Sequence, residues 1–214
     1  CPPCPRRPRD GCGDGVPVLL SADLHRALLG LGRESGASLF MVLQGLLAGL
    51  LTRLGAGSDI PIGSPIAGRT DAALDDLVGF FVNTLVLRTD TSGNPSFREL
   101  VARVRTGNLS AYGHQDLPFE RLVEVINPAR SLSRHPLFQV MLALQNTAEV
   151  KLDLPGLSCR FERVATSSAK FDLSVSLGEE RTADGAPAGI GGVVEYATDL
   201  FERASVEALI GRLV

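Results

Sequence analysis

Imidazole is the side chain best suited to moving a proton near neutral pH, and the 214-residue chain holds three: His25, His114 and His135. A general base also needs a second group to orient its ring. His25 falls in a stretch of helical spacing beside Asp23 and Arg26, which predicts a solvated surface position. His114 opens His-Gln-Asp-Leu-Pro-Phe-Glu and reads as a helix-entry residue, while His135 precedes Pro136 in a loop. None of the three reads as catalytic. Cys1-Pro-Pro-Cys4 has the gap of a zinc knuckle or redox pair, but no second Cys/His pair follows at a suitable distance, so no metal site is expected. Asp71, Asp75 and Asp76 match no cation loop and read as a solvated acidic face. There is no glycine-rich phosphate loop, no GxSxG elbow, no HExxH pair and no double CxxC.

The anomaly that remains is Asn83. From Phe81 to Leu87 the residues are β-branched or large and apolar except for Asn83 and Thr84, the composition of a central strand covered on both faces. A buried amide without partners costs roughly 1–3 kcal/mol. Asn83 must therefore bond to neighbouring backbone or line a wet cavity where a substrate can use it.

The elements that would position these residues are legible from local signals. Residues 1–15 combine Pro, Arg, Asp and Gly with almost no apolar content and read as a linker or tail. Cys12 lies in this tail, and Cys159, in an apolar stretch, reads as a small core residue. A strand over 16–20 precedes a helix capped by Ser21, with Leu24, Ala27, Leu28 and Leu31 as its apolar stripe and a stop near Gly36. Ser38 caps a second helix, apolar almost all round, whose Gly45 and Gly49 leave room for a close neighbour. A strand follows over 59–65, then a loop at Gly68-Arg69. Ser96-Phe-Arg-Glu99 satisfies a capping box for a helix reaching about Tyr112. Asp116 and Pro118 suit the start of the next helix, with Asp116 accepting its amides, and Asn127-Pro128 ends it. Strands are expected over 137–144 and, more weakly, 159–164, with a turn at Asp153-Leu-Pro-Gly156. In 171–177, Phe171, Leu173, Val175 and Leu177 alternate with a polar face of Asp172, Ser174 and Ser176. After a loop over 181–189, a strand over 190–197 is weakened by Gly191 and Gly192, and a last helix carries Val206, Leu209 and Leu213. Strands and helices alternate early and strands cluster late, which predicts an α/β fold with a mixed sheet and helices mainly on one side.

Composition bounds the function. A formal net charge of −3 gives no reason to expect a nucleic-acid partner. No apolar run is long enough to span a bilayer and no secretory signal opens the chain, so no membrane partner and a cytoplasmic setting are expected. The chain opens on Cys and not Met, the expected mark of a piece cut from something longer.

Three segments carry a resemblance in a fixed order: Val78-Gly-Phe-Phe-Val-Asn-Thr84 with Arg88, His114-Gln-Asp-Leu-Pro-Phe-Glu120, and Arg130-Ser-Leu-Ser-Arg-His-Pro-Leu137. Together they resemble the last three signature motifs of condensation domains from nonribosomal peptide synthetases. The resemblance covers about residues 16–214. It implies one lobe of a chloramphenicol acetyltransferase-like sandwich, a mixed, mostly β sheet with helices on one side, corresponding to the C-terminal half of the domain. It further implies amide formation between a carrier-bound donor thioester and a carrier-bound acceptor amine. The family's HHxxxDG signature, whose second histidine is the catalytic candidate, belongs to the N-terminal lobe and does not occur in this sequence, so no catalytic residue is expected here and the chain alone should be inactive. By the same resemblance Asn83, Thr84 and Phe81 should border the substrate channel, with Asn83 orienting an acceptor amine or thioester carbonyl. Gly79, Arg88, His114, Gln115, Asp116, Pro118, Arg130, Ser133, Arg134 and Pro136 should have mainly structural duties, and a crossover latch should leave the lobe somewhere between Thr147 and Asp199. The implied partners are the missing N-terminal lobe, peptidyl carrier proteins and an adjacent adenylation domain. No cofactor would belong to the chain itself, since the phosphopantetheine arms arrive on carriers. A lobe cut at the seam should expose an apolar patch near Asn83 and associate with itself. The alternatives are a non-catalytic docking module for carrier or adenylation domains and a coenzyme A-dependent acyltransferase of the same superfamily.

Overall fold

Hydroxyl side chains set the helix starts as their sequence positions require. Ser21 accepts from the Leu24 amide (3.3 Å) and opens α1 (Ala22–Glu34), and Ser38 accepts from the Met41 amide (3.3 Å) and opens α2 (Leu39–Arg53). Ser96 and Glu99 form both halves of a capping box at the head of α3 (Phe97–Tyr112). A shorter helix, α4 (Phe119–Ile126), ends with Asn127 in the left-handed region at φ 45°, and α5 (Arg203–Leu213) is the last element. The computed structural model describes residues 11–69, 72–74, 76–129, 131, 133–145, 157 and 167–213. The turn at 153–156, the strand over 159–164, Cys1, Cys4, Cys159, Asp71, Asp75 and Arg130 lie outside the described residues, as does much of the span assigned to the latch.

Six strands make one mixed sheet: β1 (Gly13–Leu20), β2 (Asp59–Ile66), β3 (Asn83–Asp90), β4 (Val140–Gln145), β5 (Leu173–Arg181) and β6 (Pro187–Ala197), in the order β1-β6-β5-β4-β2-β3. β4 runs parallel to both β2 and β5, and the other pairs are antiparallel. The α/β class and the mixed sheet covered by helices are as the pattern predicts. α2 is the hub, packed among α1, α3 and α5, with Val42, Leu43, Leu47 and Ala48 buried. A Cβ at Gly45 or Gly49 would meet Phe97, Val101 or Leu100 of α3 at ordinary contact distance, so the two glycines lie on the face that α3 covers without being required by it.

Several expectations are corrected. β1 begins at Gly13, inside the supposed tail, because β6 runs past Ile190 and pairs with it as far as Gly13 opposite Ala197. β3 is an edge strand and not a central one. Its burial alternates, with Leu85, Leu87 and Thr89 buried and Arg88 exposed, and the apolar residues before it, Val78 to Val82, are not part of the strand. β4 starts at Val140, three residues late, because Pro136 and the buried ring of Phe138 precede the ladder. Asp172 is buried and not on a wet face. β5 takes Arg181 and β6 takes 187–189 from the ends of the expected loop over 181–189, leaving 182–186 as the turn. Gly192 does not weaken β6 but permits it, since a Cβ there would lie 2.0 Å from the Ser176 carbonyl oxygen.

The largest reversal is His25. It is wholly buried, and its Nε2 lies 3.1 Å from Glu179 Oε2 on β5. The buried face of α1 is thus His25, Leu28 and Gly32, rotated from the expected stripe so that Ala27 faces solvent. A polar ring can take a core position when a carboxylate from another element answers it.

Candidate functional site

Asn83 starts β3 opposite Ile66, and its side chain reaches across to the turn that leads into α4. Its Nδ2 donates to the carbonyls of Gln115 and Leu117, both at 2.9 Å, and its Oδ1 accepts from the amides of Thr84 (2.8 Å) and Phe119 (3.0 Å). An amide offers two donors and two acceptor lone pairs, so its capacity is filled. Of the two readings the sequence left open, bonding to neighbouring backbone is the one the geometry supports. Asn83 caps α4 from another element, a task local reasoning gave to Asp116, which is exposed and makes no such bond. The cause is Pro118 at the cap position, which has no side-chain oxygen and leaves the Phe119 amide to be met from outside.

Beside Asn83 the loop between β2 and β3 is folded inside out. Gly68 sits at φ +67°, where a Cβ would lie 1.8 Å from the Phe81 carbonyl oxygen, so the base of the loop is closed by backbone against backbone. Arg69 donates to the carbonyls of Leu74 and Leu77, and its guanidinium lies 4.3 Å over the Phe81 ring. Gly79 passes close to that ring, since a Cβ there would lie 2.9 Å from it. The apolar side chains point outward instead: relative exposure is 52% at Leu77, 104% at Val78, 91% at Phe80 and 49% at Val82. Phe81 therefore packs under Arg69, and its neighbour Phe80 is the ring offered to the outside.

The third motif joins the same region through Phe119. The Phe119 ring stacks on half-buried His135 (centroids 5.3 Å apart), which also meets Phe138 at 4.1 Å and Phe171 at 5.1 Å. Phe138 in turn fills the space over Gly63 of β2. An imidazole enclosed by three phenyl rings is a packing element. The other motif residues lie apart from this cluster. His114 is exposed, and Arg88 forms a two-pronged surface pair with Asp59 that raises its pKa, chiefly through the hydrogen bond. Ser133 pairs with Ser131, and Arg134 and Pro136 line an apolar cavity of about 410 Å³ with Val123 and Asn127. Gln115 contributes its carbonyl to Asn83 and Thr84 its amide. Among the described residues no group of three or more His, Cys, Asp or Glu could hold a metal ion.

Sequence reasoning missed Arg69 as a member of this site. It also missed the buried chain in which Asn108 donates to Gln44 (2.7 Å) and Gln44 to Thr89 (3.0 Å), tying α3 through α2 to β3. Gln44 sits inside an otherwise apolar helix, the one signal that could have pointed to the second.

A family model described as "Condensation domain" matches residues 2–214. The chain belongs to the condensation-domain family. Over 94% of its length it is 60% identical to a dimodular nonribosomal peptide synthase of Bacillus subtilis (strain 168), of which it spans 8%. Among solved structures, the X-domain from teicoplanin biosynthesis superposes with TM-score 0.91 at 34% identity, covering 99% of this chain and 48% of that one. The condensation domain of the Monacolin K polyketide synthase MokA shares the fold, with TM-score 0.77 at 21% identity, 100% of this chain matching 49% of that one. The chain thus spans about half the length of these two solved domains and less than a tenth of the synthase. No single helix in its described residues is long and apolar enough to cross a membrane.

Proposed function

We propose that the chain is the C-terminal lobe of a nonribosomal peptide synthetase condensation domain and supplies one wall of the channel in which an amide bond forms. The observation that carries this reading is the outward run Leu77, Val78, Phe80 and Val82, two of whose side chains are almost wholly exposed. A loop in contact with water alone would turn these side chains in and its carbonyls out. Here the carbonyls of Leu74 and Leu77 are answered from within by Arg69, and the apolar side chains are left for a second surface. The match to half of each solved domain supports an N-terminal lobe as that surface.

In the reaction the acceptor amine nitrogen attacks the donor thioester carbonyl, the carbon–sulfur bond breaks, and the thiol remains on the donor carrier. The proton released by the amine passes through the histidine of HHxxxDG on the other lobe to the departing thiolate, which leaves as the carrier thiol. A thioester is already activated, so the share left to this lobe is to position the two ends and exclude water. Asn83, with its hydrogen bonds filled by protein, acts by holding the channel wall and not by touching substrate, while Phe80 and Val78 face the seam. Thr84 and Phe81 brace the same wall. The lobe carries no cofactor of its own in this reading. The phosphopantetheine arms come on carrier proteins, an adenylation domain adjoins, and the setting is cytoplasmic.

The test is reconstitution. The chain, alone or co-produced with an N-terminal lobe bearing HHxxxDG, is given loaded donor and acceptor carriers, and peptidyl thioester is followed by mass spectrometry. Product is expected only with both lobes. Turnover by the chain alone, or none with both, would refute the proposal, and carrier binding without turnover would favour a docking module.

A further inference from the structure

We infer that Arg69 is the positioning residue for the channel wall, fixing the pose in which Val78 and Phe80 are presented; this rests on the proposed reading of that loop. Ile66 and Asn83, at its two ends, are register partners across β2 and β3, so the loop leaves and re-enters the sheet at one point. Asn83 anchors its far end to the α4 turn, and Gly68 closes its base against Phe81. Between these anchors Arg69 ties the loop to itself, spanning five residues to Leu74 and eight to Leu77 and covering Phe81. The Leu77 amide also donates to the Leu74 carbonyl (3.2 Å), the oxygen that Arg69 meets.

Guanidinium suits this place because its donors lie in one rigid plane that can fork to two carbonyls while its face rests on a ring. Lysine offers a single compact ammonium on a flexible stem and cannot do all three. Arg69 touches neither substrate nor reacting atoms. It acts through Phe81 and the two carbonyls, whose placement decides where Val78 and Phe80 stand.

Two measurements test this on Arg69→Ala and Arg69→Lys. In the 214-residue chain, amide hydrogen exchange over 72–82 should rise at least tenfold in R69A, with the thermal midpoint and the exchange of α2 unchanged. In the two-lobe domain, kcat should fall on the order of 100-fold, the loss expected when a reacting group is misplaced by about 1 Å, with the KM for acceptor carrier within about twofold. R69K should restore neither exchange nor kcat. Unchanged loop exchange in R69A, full rescue by R69K, or losses of kcat and midpoint that move together and recover on cooling would each overturn the inference. If the wild-type two-lobe domain makes no peptide, the functional reading fails, and the exchange arm still decides whether Arg69 holds the loop.

Discussion

Replacing Asn83 separates a clamp from a substrate contact. Asn83→Ala removes the bonds to Gln115, Leu117, Thr84 and Phe119, of which three join parts of the chain more than thirty residues apart. At a net of about 1 kcal/mol each, less what water restores at a half-buried site, the loss is about 2–3 kcal/mol. Asn83→Asp sharpens the argument because shape is kept and only donors are lost. One carboxylate oxygen can still accept from the Thr84 and Phe119 amides, but the other then faces the Gln115 and Leu117 carbonyls, acceptor against acceptor. At neutral pH N83D should therefore cost at least as much as N83A. Acidification should recover part of that loss, since a protonated carboxyl donates one hydrogen bond. The assay is urea denaturation at several pH values, reading the midpoint at constant slope, with hydrogen exchange at the Phe119 amide as the local probe. If N83D stays within about 0.5 kcal/mol of wild type at neutral pH, as surface substitutions do, Asn83 is no clamp and its amide is free for substrate.

Two further outcomes follow from geometry away from Asn83. Asp14 is held below the usual carboxylate range, first by the Gly15 amide and then by the Tyr196 hydroxyl and Arg203, so its contribution to stability is complete above an ordinary Asp pKa of about 4 and fades as pH falls through its lowered value. Asp14→Asn should flatten the acid limb of stability against pH, and an unaltered limb would contradict this. Gly192→Ala sets a methyl 2.0 Å from the Ser176 carbonyl and should destabilise by about 1–3 kcal/mol or more, whereas Gly191→Ala meets the movable end of Glu180 and should cost less; equal losses on urea denaturation would refute the distinction.

What could be read in the sequence was what is decided within a few residues. Ser21, Ser38 and the Ser96/Glu99 pair cap their own helices, and the glycines of α2 mark the face that α3 approaches. What could not be read depends on partners far along the chain. His25 looks like a surface residue until Glu179 arrives 154 residues later, and the two readings of Asn83, backbone partner or cavity lining, stay open until the turn at 115–119 takes up its bonds. The composition of β3 suggested a central strand because it says how apolar a segment is and not which neighbours it has. The apolar run before it, at Val78 and Phe80, is exposed and lies outside the strand.

The three motifs of this lobe behave as joints, and together they form one brace. Asn83 ties the end of the outward loop to the entry of α4, and the Phe119 ring at that entry stacks on His135. His135 packs on Phe138, which fills the space over Gly63 on β2, the strand the loop departs from. The path returns to the strand pair from which the loop leaves, so a displacement of the loop's Asn83 end has to move α4, the aromatic cluster and two strands at once, while the span between its ends is held by Arg69. Under the proposed reading, a wall held this way is a prepared surface and not one that forms on contact. On the same reading, the contribution of such a brace to the reaction is position, which in a thioester aminolysis is worth several kcal/mol of barrier, on the order of the effective molarities measured for well-aligned reactants.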